Sequence, residues 1–306
     1  MPEGYTHVRT ARQAAQLAEI MVPDREAFAC GANGPDVLFC YRVWRKAAKR
    51  GENLPLLGDR LHDENTGVFL QSLIEQAKTP QERSYVLGFL CHYATDCVVH
   101  PYVVAITRPG QLYGMAGGHG YFEIALDSVL HKRDTGKGSV PVQDTTPLMS
   151  RKSCTQAAAL LQTALQKTLG QQVSLAALQD TFAHTRLMRS LFVSRLRLKY
   201  GLFWLVEPLF GGRGFITGHV TPAHLRGGDE GQGLPQVWKN PFTHQQQTET
   251  VWQLLEQAAH RSAQCMKAAQ QVWDGNQSME QAMECIGSNS YLSGLPDERS
   301  APAQQG

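Results

Sequence analysis

The chain has 306 residues, 42% of them hydrophobic and 18% charged, with a net charge of +2. These proportions exclude an intrinsically disordered chain, and the length allows one large domain or two small ones around a sizeable core. A balance so close to neutral, with no long basic run, gives no reason to expect nucleic acid as a partner.

In chain order, the apolar spacing is helical almost everywhere. Thr6 is a candidate cap for a helix reaching about Met21, and a short helix over 24–30 runs into the turn Gly31-Ala32-Asn33-Gly34-Pro35. Residues 65–77 repeat apolar side chains every 3.6 positions, with Asp63, Glu64 and Asn65 available to cap them. Thr79-Pro80-Gln81-Glu82 combines an N-cap threonine, proline at the first helical position and a glutamate that completes a capping box. The helix it opens carries Tyr85, Val86, Phe89, Leu90 and Tyr93, and Pro101 is expected to kink or end it just past His100. Gly117-Gly118 precede a helix over 119–133. A polar loop follows over 134–148, then helices near 152–169, 175–197 and 246–273.

The segment 200–245, rich in Gly, Pro and aromatic residues, is expected to be irregular and is a candidate lid or binding loop. Its run Phe203, Trp204, Leu205, Val206, Leu209 and Phe210 suits either a packed helix end or a lipid-contacting surface. The whole reads as a single all-α domain over 1–294 with a disordered tail over 295–306. There is no unbroken apolar stretch of 18 residues, so no transmembrane segment is expected. The first 25 residues lack the apolar core of a secretory signal. Seven cysteines, an odd number without a CxxC pair, suggest a reducing, cytoplasmic location, with Cys91 and Cys97 as packing residues.

The chemistry concentrates in two helical patterns. His92, Asp96 and His100 follow HxxxDxxxH spacing and share one face of the capped helix. Leu87, Phe89, Leu90, Cys91, Val98 and Val99 make that neighbourhood apolar, so three polar groups there need partners. Two imidazoles and a carboxylate on one stripe suit Zn²⁺. His119 and Glu123 form a second i,i+4 pair flanked by Tyr121, Phe122, Ile124 and Leu126. Asp127 and His131 continue that stripe as supporting or surface residues. Upstream, Asp36, His62 and His7 are further candidates, each as readily a cap or a satisfied polar residue when taken singly.

Together, Gly-Ala-Asn-Gly-Pro-Asp at 31–36, Leu61-His62-Asp63-Glu64-Asn65-Thr66-Gly67, His92-xxx-Asp96-xxx-His100-Pro101 and His119-xxx-Glu123 resemble the zinc-dependent phospholipase C family over the first 130 residues. That family shares its helical fold with zinc-dependent single-strand nucleases. The resemblance implies one zinc held by Asp36, His62, His92 and Asp96, and a second held by His100, His119 and Glu123. It implies a third that uses His7, a bridging Asp96 and an N-terminal Trp. Here Met1-Pro2-Glu3-Gly4 precede Tyr5 with no Trp, so two zinc ions are expected and the third site lacks a family ligand unless Pro2 completes it. Aromatic residues that surround choline in the secreted members are replaced by Val37 and Asp59. The substrate-binding residues are therefore not identified, and the head group is left open. The implied activity is hydrolysis of a phospholipid or another phosphodiester, with Asp36 as the catalytic carboxylate that orients water. Peripheral membrane contact accompanies a lipid substrate. The alternatives are a nuclease-like phosphodiesterase on the same fold and a zinc-binding protein without catalysis.

Overall fold

The computed structural model describes residues 4–194, 198–209, 214 and 216–297. The fold is all-α. In chain order its helices are α1 (Gly4–Ala18), α2 (Arg25–Gly31), α3 (Leu54–Leu61), α4 (Thr66–Gln76), α5 (Pro80–Thr107), α6 (Gly118–Thr135), α7 (Val142–Thr145), α8 (Arg151–Leu169), α9 (Leu175–Phe192), α10 (Leu198–Val206), α11 (Val251–Trp273) and α12 (Met279–Ile286). A 3-10 helix, Gly34–Cys40, links α2 to the stretch before α3. Two short antiparallel strands, β1 (Trp238–Lys239) and β2 (Gln246–Gln247), lie before α11.

The organising element is α5, which packs against α1, α2, α4, α6, α8 and α11. Its capping box forms as the sequence predicts: Thr79 accepts from the Glu82 amide while the Glu82 carboxylate accepts from the Thr79 amide. Pro101, however, does not end the helix, which runs six residues further to Thr107. Proline removes the donor that would serve the Cys97 carbonyl one turn back. Gly294 packs so closely on that carbonyl that a Cβ there would sit 2.3 Å from the oxygen, and burial of Tyr102, Val103 and Ile106 holds the last turns in place. By length and composition α5 could cross a membrane, which the count of uninterrupted apolar residues did not reveal. Most of that stretch is buried inside the protein, as for a core helix.

Two glycines set how closely α2 meets α5. A Cβ on Gly31 would come 2.1 Å from the Tyr85 carbonyl oxygen, and one on Gly88 would come 2.1 Å from that of Phe28. Only glycine on both faces permits this approach. The consequence is that the turn after α2, which carries Asp36, is pressed against the middle of α5, which carries His92 and Asp96.

Several local expectations are corrected. Thr6 lies inside α1 and is not its cap; the Asp127 carboxylate on α6 accepts from the Tyr5 and Thr6 amides and the Thr6 hydroxyl. The start of α4 is not capped by Asp63, Glu64 or Asn65. Asn65 is left-handed (φ 53°) and its side chain makes no capping bond. The Thr66 amide is served by Asp297 and the Gly67 amide by Ser288. Helix α9 stops at Phe192 because the Ser194 amide turns to the Thr221 carbonyl. Within 200–245, residues up to Val206 are helical, so the irregular stretch begins later. Leu295, Pro296 and Asp297, expected in the tail, are held by the Ser290–Leu295 and Asp297–Ser288 backbone bonds. Pro2, Phe210, Gly211, Gly212 and residues 298–306 lie outside the described residues.

Candidate metal centre

Eight side chains from five places in the chain converge. His7 comes from α1, Asp36 from the 3-10 helix, His62 from the residue that caps the end of α3, and His92, Asp96 and His100 from α5. His119 and Glu123 come from the first turns of α6. They form two neighbouring groups. In the first, ligand atoms of His7, Asp36, His92 and Asp96 lie within 4.8 Å of one another, and His62 joins through Asp36. In the second, His100, His119 and Glu123 meet the same criterion.

The separations are those a shared cation imposes. His7 Nε2 is 3.3 Å from Asp96 Oδ1, and His92 Nε2 is 3.1 Å from Asp96 Oδ2. Asp36 places Oδ1 3.0 Å from His62 Nε2 and Oδ2 3.5 Å from His92 Nε2. In the second group, His100 Nε2 and His119 Nε2 are 3.3 Å apart, and Glu123 Oε1 is 3.0 Å from His119 Nε2. Ligands about 2.0–2.1 Å from a tetrahedral zinc stand about 3.3 Å from each other. Two imidazole nitrogens at such a distance repel unless a proton or a cation lies between them. His92 Nε2, His7 Nδ1 and His100 Nδ1 are buried without a hydrogen-bond partner. Nitrogen and carboxylate donors with unsatisfied buried nitrogens among them fit zinc.

The ring nitrogens of the first group are oriented from behind. His62 Nδ1 lies 2.7 Å from the Gly58 carbonyl and His92 Nδ1 lies 3.2 Å from that of Ala32. With each carbonyl placed to accept the Nδ1 proton, Nε2 is the nitrogen presented to Asp36 and free to bind a metal. Gly34 (φ +51°) clears the space for His92, since a Cβ there would lie 2.1 Å from the imidazole. The Asn33 amide group donates to the Ala29 and Thr145 carbonyls, and its oxygen accepts from Arg189 on α9. These bonds fix the turn that carries Asp36.

Electrostatics follows the geometry. Burial pushes the Asp96 carboxyl up, but His92, His7 and His100 outweigh it and hold it well below the usual range. Asp36 is likewise lowered by His92 and His62 against its burial. Burial pushes His62 down, yet its bond to Asp36 raises it to about 9. For His7, burial and the neighbouring His92 outweigh Asp96 and Asp36 and take it to about 4. Burial raises Glu123, and His119 and His100 more than reverse it.

Both groups open on a cleft of about 410 Å³, lined also by Phe39, Asp59, Asp63 and Leu292. Of the two positions where the sequence resemblance placed a head-group aromatic, Val37 is fully buried and Asp59 lines the cleft. Asp127 and His131 do not join the cluster. Asp127 caps α1 and so fixes the turn bearing His7, while His131 bonds Lys137 and Asp144.

Sequence reasoning missed Tyr291. Its amide donates to the His62 carbonyl, and its buried ring packs 5.1 Å from the His62 ring and 5.8 Å from that of His92. Nothing in the local sequence marks it, because its role is set by chain returning from α12. His219 was missed for the same reason. It packs against Gly120, where a Cβ would lie 2.5 Å from the imidazole, between the two second-group ligands on α6.

No curated protein and no solved structure matches the chain. A family model described as zinc dependent phospholipase C matches residues 6–177, a span that contains all eight side chains of the centre. With that match covering more than half its length, the chain belongs to the zinc-dependent phospholipase C family.

Proposed function

We propose that the protein is a zinc-dependent phosphodiester hydrolase of phospholipase C type. The observation that carries this reading is that two donor groups meet at the floor of one open cleft. The ends differ: Asp96 is buried, while the His119 side chain is 42% exposed. A purely structural zinc site closes all its positions with protein, and an open one leaves room for water and substrate.

Zinc held by His62, His92, Asp36 and Asp96 on one side, and by His100, His119 and Glu123 on the other, supplies Lewis-acid stabilisation of phosphate charge and acidifies water. The protein's own groups do the rest. Asp36 lines the cleft and, held as an anion by His62 and His92, can take the proton of an attacking water. The water oxygen bonds to phosphorus, the bond to the glycerol oxygen breaks, and that oxygen takes a proton from solvent water to leave as the alcohol beside a phosphorylated head group. His7 packs its ring 4.3 Å from that of His92 and steadies Asp96.

The test is an assay of the zinc-loaded protein against bis(p-nitrophenyl) phosphate, phospholipid vesicles and short single-stranded nucleic acid. Cleavage of the first two, abolished by chelation and restored by zinc, is expected. Preferential cleavage of nucleic acid would move the reading to the nuclease type. Less than one zinc per chain after zinc loading, with no cleavage, would overturn it.

A further inference from the structure

Helix α10, Leu198–Val206, is apolar on every side (LKYGLFWLV) yet has no buried residue. Leu198 is 76% exposed, Leu202 59% and Leu205 68%, and Leu187 and Leu191 on α9 are exposed as well. A helix that is apolar all round is normally enclosed by protein or by lipid, and exposed apolar patches of this kind mark interaction surfaces.

A second observation concerns charge. From Arg195 to Val206, leading into and through α10, the sequence has three cationic side chains, Arg195, Arg197 and Lys199, and no acidic one, whereas Arg186 and Arg189 further back turn inward to Thr146 and Asn33. The first acid after this stretch, Glu207, is buried and occupied: its carboxylate accepts from the Gly214, Ile216 and Thr217 amides and the Thr217 hydroxyl. Lys199 sits at the start of α10, with its ammonium on the last carbonyls of α9. Apolar side chains beside cations, with acid excluded, is the combination that binds an anionic lipid surface, where one signal alone holds only weakly.

A third observation ties this helix to the cleft. The Phe203 ring packs on Phe192 at 6.0 Å, Phe192 packs on His219 at 5.8 Å, and His219 rests on Gly120 between His119 and Glu123. This apolar helix is thus linked to the more exposed metal group through two ring contacts and the seat of His219 on Gly120.

We propose that α10 is a membrane-docking helix that seats the cleft on an anionic phospholipid bilayer. The proposal rests on the phosphodiesterase reading only for the choice of lipid as the occupant. Its test is co-sedimentation of the full chain with phosphatidylcholine vesicles and with vesicles that also contain phosphatidylglycerol, for the unaltered protein and for the double variant Leu202→Ser, Leu205→Ser. Both leucines are exposed, so the variant should keep its circular dichroism. The unaltered protein should bind the phosphatidylglycerol vesicles more tightly, and the more so at low salt. The double variant should bind about tenfold or more weakly, with cleavage of bis(p-nitrophenyl) phosphate unchanged. Absence of binding to anionic vesicles, or equal binding by the variant, would overturn the proposal. So would a dimer that becomes a monomer in the variant without vesicle binding, because a second copy would then cover the face. Metal-stripped protein should still bind vesicles. Vesicle binding without cleavage of any diester would sink the activity reading and leave the docking surface standing.

Discussion

The two halves of the metal centre are built to different standards. In the first half the His62 and His92 rings are each turned by a backbone carbonyl, backed by Tyr291 and surrounded by buried side chains, although His7 Nδ1 has no partner. Around His100, His119 and Glu123 the groups hold mainly one another, and the His100 Nδ1 atom has no partner. Supporting hydrogen bonds raise ligand basicity and fix orientation, and their loss typically weakens a metal site 10–100-fold. The difference teaches that a tight ion and an exchangeable one can be made from the same donor types, the distinction lying in what stands behind the donors.

The largest effect should come from breaking the residue common to both halves. Asp96 faces His7 with one oxygen and His92 with the other, and lies 4.0 Å from His100. Asp96→Ala should lower zinc content in both groups and reduce turnover by about 10³-fold or more. Glu123→Ala should instead empty only the second group and leave the helical content intact. Elemental analysis that found equal zinc loss in the two variants would erase the distinction. Next in size is Asp36→Asn, which keeps the shape but loses the charge and the proton acceptor. Turnover should fall about 10²–10⁴-fold while zinc changes little. A lost zinc equivalent, with turnover restored by added zinc, would make Asp36 a plain ligand.

A smaller effect tests the support of His7. Asp127→Ala removes the cap from α1 and strands two buried amides, so metal-free protein should lose about 1–2 kcal/mol in denaturant titration. An unchanged midpoint would mean that α1 is held by packing alone. The smallest concerns Glu207. Burial raises its carboxyl, but the amides of Thr217, Gly214 and Ile216 more than reverse this, so its folded value lies below the ordinary one near 4.5. That stabilisation is complete above the ordinary value and is lost as pH falls through the lower folded value. The stability gap between the unaltered protein and Glu207→Gln should therefore be widest near neutrality and close on acidification. A gap independent of pH would refute the assignment.

The ligand pattern was legible because α-helical spacing carries it: His92, Asp96 and His100 recur every four residues, as do His119 and Glu123. The capping box at Thr79 was legible for the same reason, being written within four residues. What escaped was everything decided across the fold. The close packing of Gly294 on the Cys97 carbonyl behind Pro101 joins residues nearly two hundred apart in sequence. The α1 cap depends on Asp127. The exposure of α10 could not be told from burial in a sequence where both read as Leu, Phe and Trp.

The bonds at the start of α4 have a consequence for the order of events during synthesis. Thr66 and Gly67 wait for Asp297 and Ser288, and the backbone of His62 waits for Tyr291. These partners emerge more than two hundred residues later, although all eight metal-facing side chains lie within the first 123. Domains fold as their segments leave the ribosome, so the backbone of His62 lacks its Tyr291 latch until residues 288–297 arrive. A nascent chain stalled after α11 would carry every ligand with His62 held only by its bond to the Gly58 carbonyl, which makes emergence of the segment 288–297 the event that readies the centre for its metal.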